Sequence, residues 1–319
     1  MNIQNNEESE KISKKLLIFD GIMVVVLLIM VFAVYGSLHP NLKVEINKNN
    51  KAISQSNPFS KLLLKSKAVY VLDVKTNKVM FQLNSSTPLP LASITKLMMA
   101  YTAADLVSVN SKITVQKEFL EEEGDTGLLA DETWKLQDLL DFSLLVSSND
   151  GARTIASVVG ALSLHTDNYD LGRKDFITKM NNNAQKMGLK QTYFLNESGL
   201  DENGTSGGYG SAEDIANLMS YILENKPKLL EATKYHISSI NSLIQTHVAE
   251  NTNTGMENIP GLLASKTGYT DLAGGNLAIA FDASIGRPII VVVLGSTIDG
   301  RFDDVYKLVK ASLEYIYKN

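Results

Sequence analysis

The stretch Leu91-Ala92-Ser93-Ile94-Thr95-Lys96-Leu97-Met98-Met99 reads as the start of a helix with a serine nucleophile in its first turn. Residues three apart share a helix face, so Ser-x-x-Lys sets the Lys96 amine beside the Ser93 hydroxyl, a nucleophile with its base. Pro88 and Pro90 forbid a helix upstream, while the run from Ala92 to Val107 is rich in Leu, Met and Ala, which favour one. The spacing alone arises by chance in many chains of this length. What surrounds it decides the reading.

Upstream, Ala68 to Val74 and Val79 to Leu83 are apolar, β-branched runs flanking Lys75-Thr-Asn-Lys78, the pattern of a hairpin. Downstream, the acidic segment with Glu121, Glu122, Glu123 and Asp125 reads as a solvated face, and Leu136 to Val146 as a helix by its apolar spacing. Ser147-Ser148-Asn149-Asp150-Gly151-Ala152 has the composition of a loop. Helices are predicted over 152–162, over 174–187 with Gly188 closing it, and over 212–224 with Ser211 as its cap. Residues 196–211 form a long Gly- and Asn-rich loop, a kind often functional in compact domains. The runs 262–268, 276–281 and 288–295 read as three more strands, and 303–317 as a helix with Val305, Leu308, Val309, Leu313 and Ile316 on one face. Strands from both ends thus enclose a helical middle. That is an α+β fold: a sheet flanked by helices, an inserted helical subdomain, and active residues at the junction.

The composition excludes several classes of function. With 319 residues, 44% hydrophobic and 20% charged, the chain is globular rather than disordered. A net charge of −5 and the lack of a Lys/Arg-rich run argue against a nucleic-acid partner. Zero cysteines remove disulfides, thiolate metal sites and a cysteine nucleophile, and the four histidines have no ligand spacing, so neither a metal nor another cofactor is expected. Lys11, Lys14 and Lys15 precede an apolar stretch from Leu16 to Gly36 that only Asp20 interrupts. Its length lies between a signal-peptide core and a comfortable membrane span, and an uncleaved anchor is the preferred reading. The expected organisation is a cytoplasmic tail over 1–15, a transmembrane anchor over 16–36, a polar linker over 37–65, and a domain over 66–319 on the outer side of the cell membrane.

Three motifs line up in order: Ser93-Ile-Thr-Lys96, Ser147-Ser-Asn149 and Lys266-Thr-Gly268. Together they resemble those of the penicillin-recognising serine enzymes, which comprise D-Ala-D-Ala peptidases and serine β-lactamases. Finer blocks choose within that class. Pro-Leu-Ala-Ser93, Ser147-Ser-Asn149-Asp150-Gly-Ala152, Asn196-Glu-Ser-Gly199-Leu200-Asp201, Ser211-Ala-Glu-Asp214 and Lys266-Thr-Gly268-Tyr-Thr270 with Gly-Gly-Asn276 are similar to the low-molecular-weight D-alanyl-D-alanine carboxypeptidases, the penicillin-binding proteins of peptidase family S11. The match covers about 68 to 296. The fold it implies is β-lactamase/DD-peptidase-like, an antiparallel sheet flanked by helices.

The resemblance implies a serine carboxypeptidase that trims the terminal D-Ala from the peptidoglycan pentapeptide and is inhibited covalently by β-lactam antibiotics. Ser93 would form the acyl-enzyme and Lys96 would take its proton. A lysine near 10.4 is only ~0.04% neutral at pH 7, and bringing it near 8 makes ~10% neutral at about 3 kcal/mol, so burial and a second cation, Lys266, are expected to depress it. Lys266 and Thr267 would also hold the substrate carboxylate, and Gly268 would leave room for the substrate strand. Ser147 would relay a proton to the leaving amine and Asn149 would bind the substrate amide. The N–H groups of Ser93 and Tyr269 would form the oxyanion hole. Relatives often carry a second β-rich domain and a C-terminal membrane helix. Here strands and the last helix take up the residues after Gly268, which assigns the anchor to the N-terminus. A DD-endopeptidase shares every motif. A class A β-lactamase needs a glutamate that is missing between Gly151 and Asn196, and an inactive peptidoglycan-binding homologue would not need the full catalytic set.

Overall fold

The computed structural model describes residues 57–124 and 126–318, together with Met23 and Met30. The expected tail, the anchor and the linker as far as residue 56 lie outside the described residues. Among the described residues no helix is long and apolar enough to cross a membrane.

Five antiparallel strands make the main sheet: β1 (Ala68–Asp73), β2 (Lys78–Leu83), β3 (Leu262–Thr270), β4 (Gly274–Asp282) and β5 (Pro288–Ser296). Their spatial order is β3-β4-β5-β1-β2. The expected hairpin therefore forms at one edge, and β1 joins it to the C-terminal strands through the register Ala68↔Leu294 to Asp73↔Ile289. Alternate residues of these strands point to opposite faces. Val69, Val71, Leu277, Ile279, Phe281, Ile289, Val291 and Val293 meet Phe59 and the apolar side of the last helix, including Val305, Leu308 and Val309. Ala68, Tyr70, Leu72, Ala278, Ala280, Ile290, Val292 and Leu294 meet the helical body. Both faces are covered, so the strands read as apolar runs rather than as alternating ones.

The helical body comprises α1 (Lys96–Leu106), α2 (Leu136–Leu145), α3 (Asn149–Leu164), α4 (Tyr169–Lys186) and α5 (Ala212–Asn225), and α6 (Gly300–Lys318) covers the other face. Every residue of α1 from Lys96 to Ala103 is buried, which makes it the central helix. Its expected first turn differs: Ala92–Thr95 is a 3-10 turn entered through Ala92 at φ 48°. Asn276 donates to the carbonyls of Pro90 and Leu91 at 3.0 Å each, which ties this entry to the sheet. The expected loop after α2 is also shorter. Ser148 accepts from the Gly151 N–H at 2.9 Å and starts α3 at Asn149.

The folded unit begins before residue 66, inside the expected linker. Pro58–Lys61 is a 3-10 turn, and the buried Phe59 ring stacks on Phe81 with centroids 5.3 Å apart. Asp304 then accepts from Lys65 N, Ser66 N and Oγ and Ser296 Oγ, a buried carboxylate that fixes where β1 starts.

Candidate active site

Ser93 sits in the 3-10 turn and Lys96 opens α1, so the i, i+3 geometry holds across the junction. Lys96 is fully buried. Its Nζ donates to Ser93 Oγ at 2.8 Å, to Asn149 Oδ1 at 2.7 Å and to the Ser198 carbonyl at 3.0 Å. An ammonium uses its three hydrogens on these acceptors. A neutral amine keeps two and offers its lone pair, and with Asn149 and Ser198 retained as acceptors that lone pair faces the Ser93 hydroxyl. This is the arrangement a general base needs.

The other two motifs converge on the same place. Ser147 lies in the left-handed region at φ 62°, a conformation that a residue with a Cβ adopts at some cost. Its Oγ accepts from Lys266 Nζ at 2.9 Å, which leaves the Ser147 hydroxyl hydrogen free to donate. Asn149 divides its amide: Oδ1 takes Lys96, and Nδ2 donates to the Glu123 carbonyl at 2.7 Å. Thr267 Oγ1 lies 2.5 Å from Thr252 Oγ1. Tyr269 is half-exposed and donates to Asp271. Gly268 has a further requirement set by the fold. A Cβ there would stand 2.8 Å from the Leu91 carbonyl oxygen and 3.1 Å from Ser93 N, so the missing side chain lets β3 press against the nucleophile turn.

Burial drives the electrostatics. It lowers the Lys96 pKa from 10.5 to about 7, while the Glu197 and Glu122 carboxylates pull it back up. Lys266 is lowered well below its ordinary value by burial first, then by the Lys96 and Arg301 cations. Of the two expected causes, burial alone lowers Lys96; Lys266 does not contribute to its shift, and the Glu197 and Glu122 carboxylates oppose the change.

Several participants were not legible in the sequence. The acidic segment keeps Glu121 and Glu123 exposed, as expected of a solvated face, and it also meets the second motif: Glu122 N donates to Asp150, Thr126 Oγ1 lies 2.6 Å from Ser148 Oγ, and the Glu123 carbonyl takes Asn149. Arg301 of α6 donates to the Gly268 carbonyl at 2.8 Å and so aims the strand. The Gly-rich loop also has a structural explanation. Gly208–Gly210 is a short strand between Leu89–Pro90 and Tyr193–Phe194, and a Cβ at Gly208 would stand 2.5 Å from Thr95 Oγ1 behind the nucleophile. Asp201 fastens the same loop to the end of β3 by accepting from Thr270 Oγ1 at 3.0 Å. The motif block Asn196–Leu200 had signalled that this region mattered, without showing how.

Residues 51–297 match the family described as D-alanyl-D-alanine carboxypeptidase, Peptidase S11. The chain belongs to that family. It is 26% identical over 231 residues to D-alanyl-D-alanine carboxypeptidase DacB2 of Mycobacterium tuberculosis, covering 72% of this chain and 75% of that protein. It is 27% identical over 255 residues to D-alanyl-D-alanine carboxypeptidase DacF of Bacillus subtilis, covering 78% of this chain and 62% of that longer protein. Penicillin-binding protein D2 of Listeria monocytogenes, solved in an ampicillin-bound form, superposes with a TM-score of 0.67 at 28% identity, covering 78% of this chain and 98% of that one. For this carboxypeptidase-family chain, the mixed fold and the antiparallel sheet stand as expected.

Proposed function

We propose that this chain is a serine D-alanyl-D-alanine carboxypeptidase that removes the last D-alanine from peptidoglycan pentapeptide stems. The observation that carries the reading is the fully buried Lys96 amine, 2.8 Å from Ser93 Oγ. Lys96 takes the Ser93 proton as Oγ adds to the carbonyl between the two D-alanines. The N–H groups of Ser93 and Tyr269 receive the oxyanion, at a strand and turn held in contact by Gly268 and Arg301. Ser147 delivers a proton to the departing amine, D-alanine leaves, and water then hydrolyses the Ser93 ester. Lys266 and Thr267 hold the substrate carboxylate. β-Lactams enter the same path and stop at the ester.

The reading extends to location. Leu16 to Gly36 anchors the chain, with Lys11, Lys14 and Lys15 on the cytoplasmic side and the catalytic unit facing the cell wall. Fractionation of the full chain beside one lacking residues 1–36 tests this, and equal recovery of both with membranes refutes it. The activity is tested by D-alanine release from a diacyl-L-Lys-D-Ala-D-Ala peptide, with Ser93→Ala as control. Release that Ser93→Ala abolishes is the expected result. Penicillin labelling without release, together with cleavage of crosslinked dimers, would make the protein an endopeptidase instead.

A further inference from the structure

A buried ion pair stands beside the general base and takes no part in the reaction described above. Glu197 is 1% exposed, and both of its carboxylate oxygens accept from Arg173 Nε of α4, at 3.0 and 2.9 Å. Glu197 immediately precedes Ser198, whose carbonyl holds Lys96. The other charges around the base are also placed. From the 120–124 segment comes Glu122, 3.7 Å from Arg153 of α3, which itself reaches Asp170 of α4 at 4.0 Å. Glu202, on the loop after Glu197, lies 3.9 Å from Arg173 Nη2. On the strand side stand Arg301 of α6 and Lys266 of β3, the latter held well below its ordinary value by burial.

The buried Glu197 carboxylate, one residue before the carbonyl that holds Lys96, favours the ammonium form and is the largest influence pulling Lys96 that way. An ammonium has no lone pair for the Ser93 proton. A cation on Glu197 itself offsets that pull at its source, and Arg173 Nε, shared by both carboxylate oxygens, provides it. We propose that Arg173 is a positioning residue for the reaction: by holding the Glu197 carboxylate in a buried ion pair next to Ser198, it keeps Lys96 available as a neutral amine. The inference rests on the reading of Lys96 as the base for Ser93. It explains why a carboxylate is kept at a buried position that an apolar residue would fill at lower desolvation cost.

The test is the second-order rate of acylation of the full chain by a fluorescent penicillin from pH 5.5 to 9.5. For Arg173→Met the acid limb is expected to move up by about one pH unit, so that the rate at pH 7 falls about fivefold while the alkaline plateau is kept. Arg173→Lys is expected to restore most of the loss. Glu197→Gln removes the opposing charge and is expected to move the limb the other way, and the double variant is expected at or below the wild-type limb. A uniform loss at every pH in Arg173→Met would show a merely structural role and overturn the proposal. If Arg173→Met does not fold, Glu197→Gln decides, and a limb that is unmoved or raised overturns it. Wild-type protein unlabelled at Ser93 would sink the underlying reading and this inference with it, whereas labelled protein with unshifted variants would sink only the inference.

Discussion

Replacing Lys96 with Met isolates the cost of burying the base. The side chain keeps its unbranched shape and loses its charge. In the folded protein Lys96 titrates at about 7 instead of 10.5, because burial disfavours the ammonium. Below pH 7 both folded and unfolded chains carry the proton and the folded state bears the full penalty. Above 10.5 neither carries it and the penalty is gone. Stability must therefore rise with pH across that window, by about 5 kcal/mol in total and by about 2 kcal/mol between pH 7 and 9. Lys96→Met lacks this contribution. Its lost hydrogen bonds to Asn149 and Ser198 shift its stability by an amount that does not depend on pH, whereas Lys266, which the Lys96 cation helps to push down, is depressed less in the variant, a difference of the same sign. The informative quantity is the difference between the two unfolding free energies, measured by urea denaturation at each pH. The wild type is expected to gain about 2 kcal/mol on the variant from pH 7 to 9. Parallel curves would mean that Lys96 is not depressed in the folded state, and the account of the base would fail.

Gly268→Ala sets a Cβ 2.8 Å from the Leu91 carbonyl, so β3 must move off the nucleophile turn. Penicillin acylation is expected to fall at least about tenfold with a stability loss of about 1–3 kcal/mol, and unchanged acylation would remove the close approach as a requirement. Ser147→Gly relieves the left-handed backbone but takes an acceptor from the buried Lys266 amine, two effects of about 1–2 kcal/mol each that oppose, so thermal melts are expected to shift little while D-alanine release drops. A variant that is both stable and fully active would show that Ser147 relays no proton. Phe59→Ala empties the stack on Phe81 and is expected to cost about 3–5 kcal/mol, leaving acylation per folded molecule unchanged. If melts do not shift, residues 57–61 do not belong to the folded unit.

Local pattern carried most of the secondary structure. The strand runs were legible because both faces of the sheet are covered, and Val305, Leu308 and Val309 of α6 because one helical face meets that sheet. Helix starts were read less well. α3 begins at Asn149 and α4 at Tyr169, where polar capping residues look like loop until their side chains are seen accepting backbone N–H groups. The link between the acidic segment and the second motif was not legible because its contact with Asn149 is made by the Glu123 carbonyl, an atom every residue has.

What the sequence alone determined is the chemistry that depends on short spacing. Ser93 and Lys96 lie three residues apart, and a helical turn brings them together whatever surrounds them. Residue types in three motifs likewise named Ser147, Asn149, Lys266, Thr267, Gly268 and Tyr269. Only the tertiary structure joined Lys266 to Ser147 across 119 residues and put β1 between β5 and β2, since such pairings depend on how the whole chain folds back. It also decided whether Lys96 can act. The pKa of an amine follows the water and charge around it, and the surfaces that exclude water from Lys96, with the carboxylates that oppose the change, come from parts of the chain distant in sequence.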